Sequence, residues 1–206
     1  SNLKKLIYKS SNGTNLEVEL PKNHIWAGGG SYDSTWTYFV ANMPTEEVFT
    51  MPKRNGVNGI VYSTMPLNYS GNLIENFKLE FKDGKIVGFD AEKNKDVLEE
   101  LLNMDEGSRY LGEVALVPDD SPISNLNTVF YNTLFDENAS CHFAFGKAYP
   151  TNIKNGDKMS KEELTINGVN DSIIHEDFMV GSEDLNIIGI KDNGEELLIF
   201  KDGNWA

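Results

Sequence analysis

Only three histidines occur among the 206 residues, so each imidazole can be weighed on its own. His24 sits in Pro21-Lys22-Asn23-His24-Ile25-Trp26 with no carboxylate beside it and reads as a structural or surface histidine. His142 follows the polar run Asp136-Glu137-Asn138-Ala139-Ser140-Cys141 and heads the aromatic stretch Phe143–Phe145. A polar cluster abutting an aromatic strand is costly to bury unless its groups are paired or hold a cation. His175 lies in Ile173-Ile174-His175-Glu176-Asp177-Phe178-Met179-Val180, where a strand period of two puts His175 and Asp177 on one face and turns Glu176 away. Imidazole plus carboxylate suits zinc, cobalt or manganese, although a His-x-Asp pair is also a common pattern of a solvated strand face. Glu113 heads the apolar run Val114-Ala115-Leu116-Val117, and a carboxylate entering such a strand needs a partner. Glu46 and Glu47 equally suit the first turn of a helix, and Asp136 and Glu137 equally suit caps on local amides. The lone Cys141 cannot form an internal disulfide and argues against a sulfur-based structural zinc site.

The elements that must position these groups are mainly strands. Eight Asn-Gly or Asp-Gly dipeptides (12–13, 55–56, 58–59, 83–84, 155–156, 167–168, 193–194, 202–203) signal turns, because these residues tolerate positive φ. Between them lie short alternating or apolar runs such as Leu16–Leu20, Thr35–Ala41, Gly59–Thr64, Cys141–Phe145 and Leu185–Ile190. Phe77–Phe81 with Lys85–Phe89 reads as one hairpin, and Leu185–Ile190 with Glu196–Phe200 as another. Helical periodicity is confined to Asp96–Met104 and to about Asn125–Leu134, the latter with Ser121 or Ser124 as N-cap. No fixed-period repeat and no linker-like tract divides the chain. The expected fold class is α+β: one β-rich domain over residues 3–206, with a mainly antiparallel or mixed, barrel-like sheet and a few short helices. Ser1 and Asn2 read as a remnant of tag removal.

Composition narrows the function. Eighteen basic against 32 acidic residues give a net charge of −14, which repels nucleic acid and anionic membrane surfaces. No stretch nears the roughly 20 apolar residues of a membrane-spanning helix. With one cysteine and no apolar leader, a cytoplasmic location is expected.

The strings Asn42-Met43-Pro44-Thr45-Glu46-Glu47-Val48-Phe49-Thr50, Gly112-Glu113-Val114-Ala115-Leu116, Thr133-Leu134-Phe135-Asp136-Glu137-Asn138-Ala139-Ser140-Cys141-His142 and Asn170-x-Ser172-x-x-His175-x-Asp177-Phe178-Met179 together resemble the M29 metallo-aminopeptidases. The motifs keep the family's order and spacing from about residue 20 onward: 66 positions from Glu47 to Glu113, 29 to His142, 33 to His175 and 2 to Asp177. Members are about twice this length, so the resemblance is to their C-terminal, metal-binding half, with the N-terminal domain absent from this chain. It implies a site for two divalent metal ions (zinc, cobalt, magnesium or manganese) held by Glu47, Glu113, Glu137, His142, His175 and Asp177, with Glu113 bridging. Tyr149 matches a tyrosine that the family places beside the metals.

That site implies hydrolysis of the N-terminal residue of peptides with a free N-terminus, through a bridging water whose pKa two nearby cations lower towards 7. Tyr149 would donate to the oxyanion and Glu46 would shuttle a proton. The full-length protein is expected to be a homodimer, and this half alone to fold but hydrolyse slowly. The competing function is a non-catalytic, β-rich metal-dependent binding or oligomerisation domain.

Overall fold

A computed structural model of the chain describes residues 2–43 and 45–206, so Ser1 of the expected tag remnant lies outside the described residues. Two antiparallel sheets dominate. The larger has eight strands in the order Lys85–Asp90, Lys78–Lys82, Val57–Tyr62, Asn15–Glu19, Leu3–Lys9, Asn186–Lys191, Glu196–Lys201 and Asn204–Trp205. Its two outermost strands each pair on one side only, so among the described residues the sheet stays open and no closed barrel forms. The smaller sheet has five strands in the order His175–Met179, His142–Gly146, Leu111–Leu116, Val48–Thr50 and Ala27–Gly28.

Alternation explains the core. Leu16 and Val18 are buried between exposed Asn15 and Glu17, and Leu79 and Phe81 between exposed lysines and Glu80. These side chains join Val114, Leu116, Phe143, Phe145 and Phe178 of the smaller sheet in one hydrophobic cluster. Tyr8 meets Phe143 edge-on at 5.1 Å and Phe77 meets Phe178 at 5.6 Å, so aromatic rings seal the join between the sheets.

Both expected hairpins form, with Asp83-Gly84 as the turn of the first at φ 50° and 82°. The Asp96–Met104 periodicity becomes the helix Lys95–Leu102, which buries Leu98, Leu101 and Leu102. The helix expected over Asn125–Leu134 does not form. Ser124–Leu126 makes a single 3-10 turn, and a short helix follows only at Thr133–Asp136. Asn127 and Tyr131 adopt φ of 47° and 57°, and the Asp136 carboxylate accepts the Phe130 and Asn132 N–H groups, so local capping displaces the helical ladder. A third helix, Lys161–Ile166, opens with a capping box in which Ser160 Oγ accepts from Glu163 N–H and Glu163 accepts from Ser160 N–H.

One ladder is interrupted. Ala27–Gly28 pairs with Val48–Thr50, and beyond Gly29 the same chain continues as Gly30–Tyr32, pairing with Tyr38–Val40. Ala41–Met43 and Thr45–Glu47 lie outside both ladders, which lets Glu46 and Glu47 depart from the sheet edge.

Candidate metal centre

Register on the five-stranded sheet gathers the chemistry. Glu113 lies opposite Ala144, which lies opposite Asp177, while His142 lies opposite Ala115. Pleating therefore sends Glu113, His142, His175 and Asp177 to one face, with the small residues Ala115, Ala144 and Gly146 among them, and Val114, Phe143 and Phe178 to the core. Glu47 joins from just before the neighbouring strand Val48–Thr50, two residues ahead of Phe49, which pairs with Ala115.

The placement of Glu113 depends on a bulge. Leu111 pairs with Phe145 but Glu113 pairs with Ala144, so Gly112 is an extra residue. Strict alternation would put Leu111 and Glu113 on one face; the bulge leaves Leu111 in the core and turns Glu113 to the other side. A Cβ on Gly112 would lie 2.3 Å from the Lys147 carbonyl oxygen and 2.5 Å from that of Gly146, so only glycine fits.

Two groups of possible ligands result: Glu47, Glu113 and His142, and Glu113, His175 and Asp177, each with ligand atoms within 4.8 Å of one another. Glu113 belongs to both, its Oε1 3.6 Å from His142 Nε2 and its Oε2 3.8 Å from His175 Nε2. Glu47 Oε1 is 3.3 Å from His142 Nε2, and Asp177 Oδ1 is 3.7 Å from His175 Nε2. Each imidazole donates Nδ1–H to a backbone carbonyl, His142 to Ser140 at 3.0 Å and His175 to Lys147 at 2.7 Å. A carbonyl can only accept, so in the neutral rings the lone pair sits on Nε2 and points at Glu113.

Among the described residues, His142 Nε2 and Asp177 Oδ1 are buried without a hydrogen-bond partner. Buried polar atoms rarely stay unpaired, and two of them facing one shared carboxylate fit a cation. The donor set of carboxylate oxygen and imidazole nitrogen, with no sulfur, suits a hard or borderline divalent ion. Cys141 takes no part, for its buried thiol donates to the Val117 carbonyl at 3.3 Å and its pKa is pushed up to about 12 by burial.

Without metal the cluster holds protons instead. Burial, reinforced by the charge of Asp177, raises the Glu113 carboxyl above its ordinary range. Burial alone would lower the His142 pKa, but Glu113 and Glu47 outweigh it and hold the ring well above the usual imidazole value. Glu137 lies outside both groups of three but against Asp177; burial and that neighbour push it to about 9, and Asn42 donates to it at 2.6 Å.

Tyr149 packs its ring on His175 at 4.6 Å between centroids. Its hydroxyl pKa rises to about 12 through burial and the surrounding carboxylates, so it keeps its proton at neutral pH. Glu46 is exposed, outside both groups, and lines a groove with Glu47. Glu176 turns from the cluster towards Thr133, as a period of two requires. His24 stays apart, donating Nδ1–H to Pro21. Reasoning from side-chain types missed Asn42 and the Ser140 and Lys147 carbonyls; the Ser140 contact, two residues before His142, is local, but nothing near His175 in sequence points to Lys147.

Residues 1–205 match the profile of a family described as thermophilic metalloprotease (M29). The chain is 58% identical over 200 residues to aminopeptidase AmpS of Bacillus subtilis (strain 168), covering 97% of this chain and 49% of that protein. It is 56% identical over 203 residues to aminopeptidase 2 of Geobacillus stearothermophilus, covering 98% and 49%. The solved structure of wild-type AmpT from Thermus thermophilus superposes with a TM-score of 0.92 at 41% identity, over 99% of this chain and 50% of that one. The chain spans about half the length of the curated relatives it matches.

Proposed function

The chain belongs to the M29 metalloprotease family, and on that premise we propose that it is the metal-binding half of an aminopeptidase that removes the N-terminal residue from peptides. Glu47, Glu113 and His142 would hold one divalent cation and Glu113, His175 and Asp177 a second, with Glu137 beside them completing the set. The observation that supports this most is the pair of imidazoles, each fixed through Nδ1–H on a carbonyl and each presenting Nε2 to the same buried carboxylate. Zinc, cobalt, magnesium or manganese would supply there a shared water of lowered pKa and a Lewis acid for the scissile carbonyl.

The chain's own residues do the rest. The acidic cluster attracts the free ammonium group of a peptide N-terminus. Tyr149, protonated at neutral pH, donates to the oxygen of the scissile carbonyl as charge develops on it. Glu46, exposed beside Glu47, carries a proton to the leaving amine. In the full-length protein this half works within a cytoplasmic homodimer.

The test is metal analysis after loading with zinc or cobalt, followed by hydrolysis of an amino-acid p-nitroanilide. Two ions per chain, both lost in Glu113→Ala, and turnover that chelation removes are expected. Two ions retained in Glu113→Ala at unchanged affinity refute the bridging role.

A further inference from the structure

The carbonyl that aims His175 is held in place by a single buried asparagine. Lys147 lies between two peptide planes, each gripped at both ends. In the first, the Gly146 carbonyl accepts from Asn170 Nδ2 at 2.6 Å and the Lys147 N–H donates to the Ile174 carbonyl at 2.7 Å. In the second, the Lys147 carbonyl accepts from His175 Nδ1 at 2.7 Å and the Ala148 N–H donates to the Asn170 carbonyl at 2.9 Å. Asn170 thus supplies one end of each plane. Gly146 closes its strand at φ 87°, so beyond it extended backbone no longer fixes where the next carbonyl points. The Gly146 and Lys147 carbonyls are also the two against which the Gly112 bulge packs.

The amide itself is set by its surroundings. Asn170 is buried, its Oδ1 accepts from Arg54 Nε at 3.0 Å, and its Nδ2 also donates to the Gly107 carbonyl at 2.9 Å. Arginine only donates, so the amide oxygen must face Arg54 and the nitrogen the two carbonyls. Arg54 in turn stacks on Tyr110 at 4.1 Å and pairs with Glu106 at 2.9 Å. Gly107 begins the turn that leads into the strand of Glu113, whereas Gly146 ends the strand of His142. One amide therefore joins the entry of one ligand strand to the exit of the other.

We infer that Asn170 is a positioning residue for the second metal position: its amide fixes the Gly146 and Lys147 carbonyls and, through the latter, the direction of His175 Nε2. The inference rests on the metal-centre reading and adds to it what holds the more exposed of the two imidazoles. His142 is independent of Asn170, since its Nδ1–H goes to Ser140 in its own loop, and so serves as an internal control.

Asn170→Asp keeps the side-chain volume and the Arg54 contact but turns a double donor into an acceptor facing the Gly107 and Gly146 carbonyls. The Nδ1–H exchange rates of both imidazoles are read by proton–nitrogen NMR in the zinc-free chain, and zinc affinity by calorimetry. The His175 signal should exchange about five- to tenfold faster, the worth of one hydrogen bond, while the His142 signal keeps its wild-type rate. Zinc affinity at the second position should fall about 10–100-fold, as on losing an orienting partner. Arg54→Gln, altered at a partly exposed side chain that reaches the amide from outside, should move both readouts in the same direction by less.

An unchanged His175 signal with wild-type zinc affinity overturns the positioning role. Equal acceleration at both imidazoles also overturns it, because that marks general loosening of the sheet. Should Asn170→Asp not fold, Arg54→Gln decides by the same two criteria. Failure of the metal reading appears separately, as absence of bound zinc in the parent chain, and the zinc-free exchange rates still read Asn170 in that case.

Discussion

Gly112→Ala adds one methyl group at the residue that aims the site, and its consequences follow from distances. The new Cβ would start 2.3 Å from the Lys147 carbonyl oxygen and 2.5 Å from that of Gly146, where ordinary contacts begin at 3.4 Å. About 1 Å must be absorbed, and the obstacle is backbone, which cannot swing aside as a flexible side chain can. If the Leu111–Leu116 strand gives, Glu113 moves relative to His142 and His175. If the other side gives, the Lys147 carbonyl shifts and the 2.7 Å contact that orients His175 is lost. Overpacking of this kind costs about 1–3 kcal/mol, or about 2–4 °C of melting temperature per kcal/mol for a chain of this size. Loss of an orienting partner costs about 10–100-fold in metal affinity, and a 1 Å misplacement about a hundredfold in rate. Calorimetric zinc titration and thermal melting of the metal-free chain read the two effects separately. The reasoning fails if the variant binds zinc with wild-type affinity and melts within 1 °C of the parent, since the bulge would then have room that the geometry denies it.

Three further outcomes follow from the same contacts. Glu176→Gln should keep the full zinc complement, because that carboxyl, raised to about 7 by burial and by Asp177, faces Thr133; loss of an ion would place it among the ligands. The chelator-treated chain should melt at lower temperature as pH rises from about 5 to 9. Glu137 is raised from 4.5 to about 9 and Glu113 is raised with it, so their stabilising contribution is complete below the unfolded value and is lost as pH climbs through the folded one. Saturating zinc should flatten that slope, and a metal-free chain that gains stability over the same range would contradict it. Asp184→Ala should cost about 1–2 kcal/mol without changing zinc stoichiometry, because the carboxylate accepts from Ser10 Oγ, Ser11 N–H and Ser182 Oγ and so ties the first strand to the approach to Asn186–Lys191. Unchanged melting would remove that tie from the fold's support.

What was legible in the sequence was whatever depends on short-range pattern. Alternation marked Leu79-x-Phe81 and the paired hairpins, and Asp83-Gly84 has the positive φ that such a turn demands. The same dipeptide signal misleads at Asn58-Gly59, which lies inside the strand Val57–Tyr62. There the glycine, at φ 116°, serves close approach instead, since a Cβ would come within 2.2 Å of the Asn15 carbonyl oxygen. The strand Leu3–Lys9 carries no legible pattern, because a bulge between Leu3 and Lys5 breaks its period and leaves Leu3, Leu6 and Tyr8 buried without simple alternation. Leu126 and Leu134 have helical spacing yet are exposed, because Asn127, Tyr131 and Asp136 satisfy the backbone locally before a helix can propagate.

The candidate site divides along the same line. His175-x-Asp177 needs only a period of two, so its shared face could be read directly. Glu113 could be recognised as a carboxylate in want of a partner, but its face could not be assigned by alternation: parity with Leu111 would place it in the core, and the bulge at Gly112 becomes visible only once the partner strand is in register. The orientation of the imidazoles is less legible again, because carbonyls carry no side-chain signature. Ser140 reaches His142 from two residues away, whereas Lys147 reaches His175 across 28. The residue types of a metal site are thus a property of sequence, but its aim is a property of main chain brought together by folding. One extra glycine and two carbonyl oxygens decide whether two histidine rings and one carboxylate converge, which is why a methyl group at Gly112 is expected to weaken a centre whose ligands it leaves unchanged.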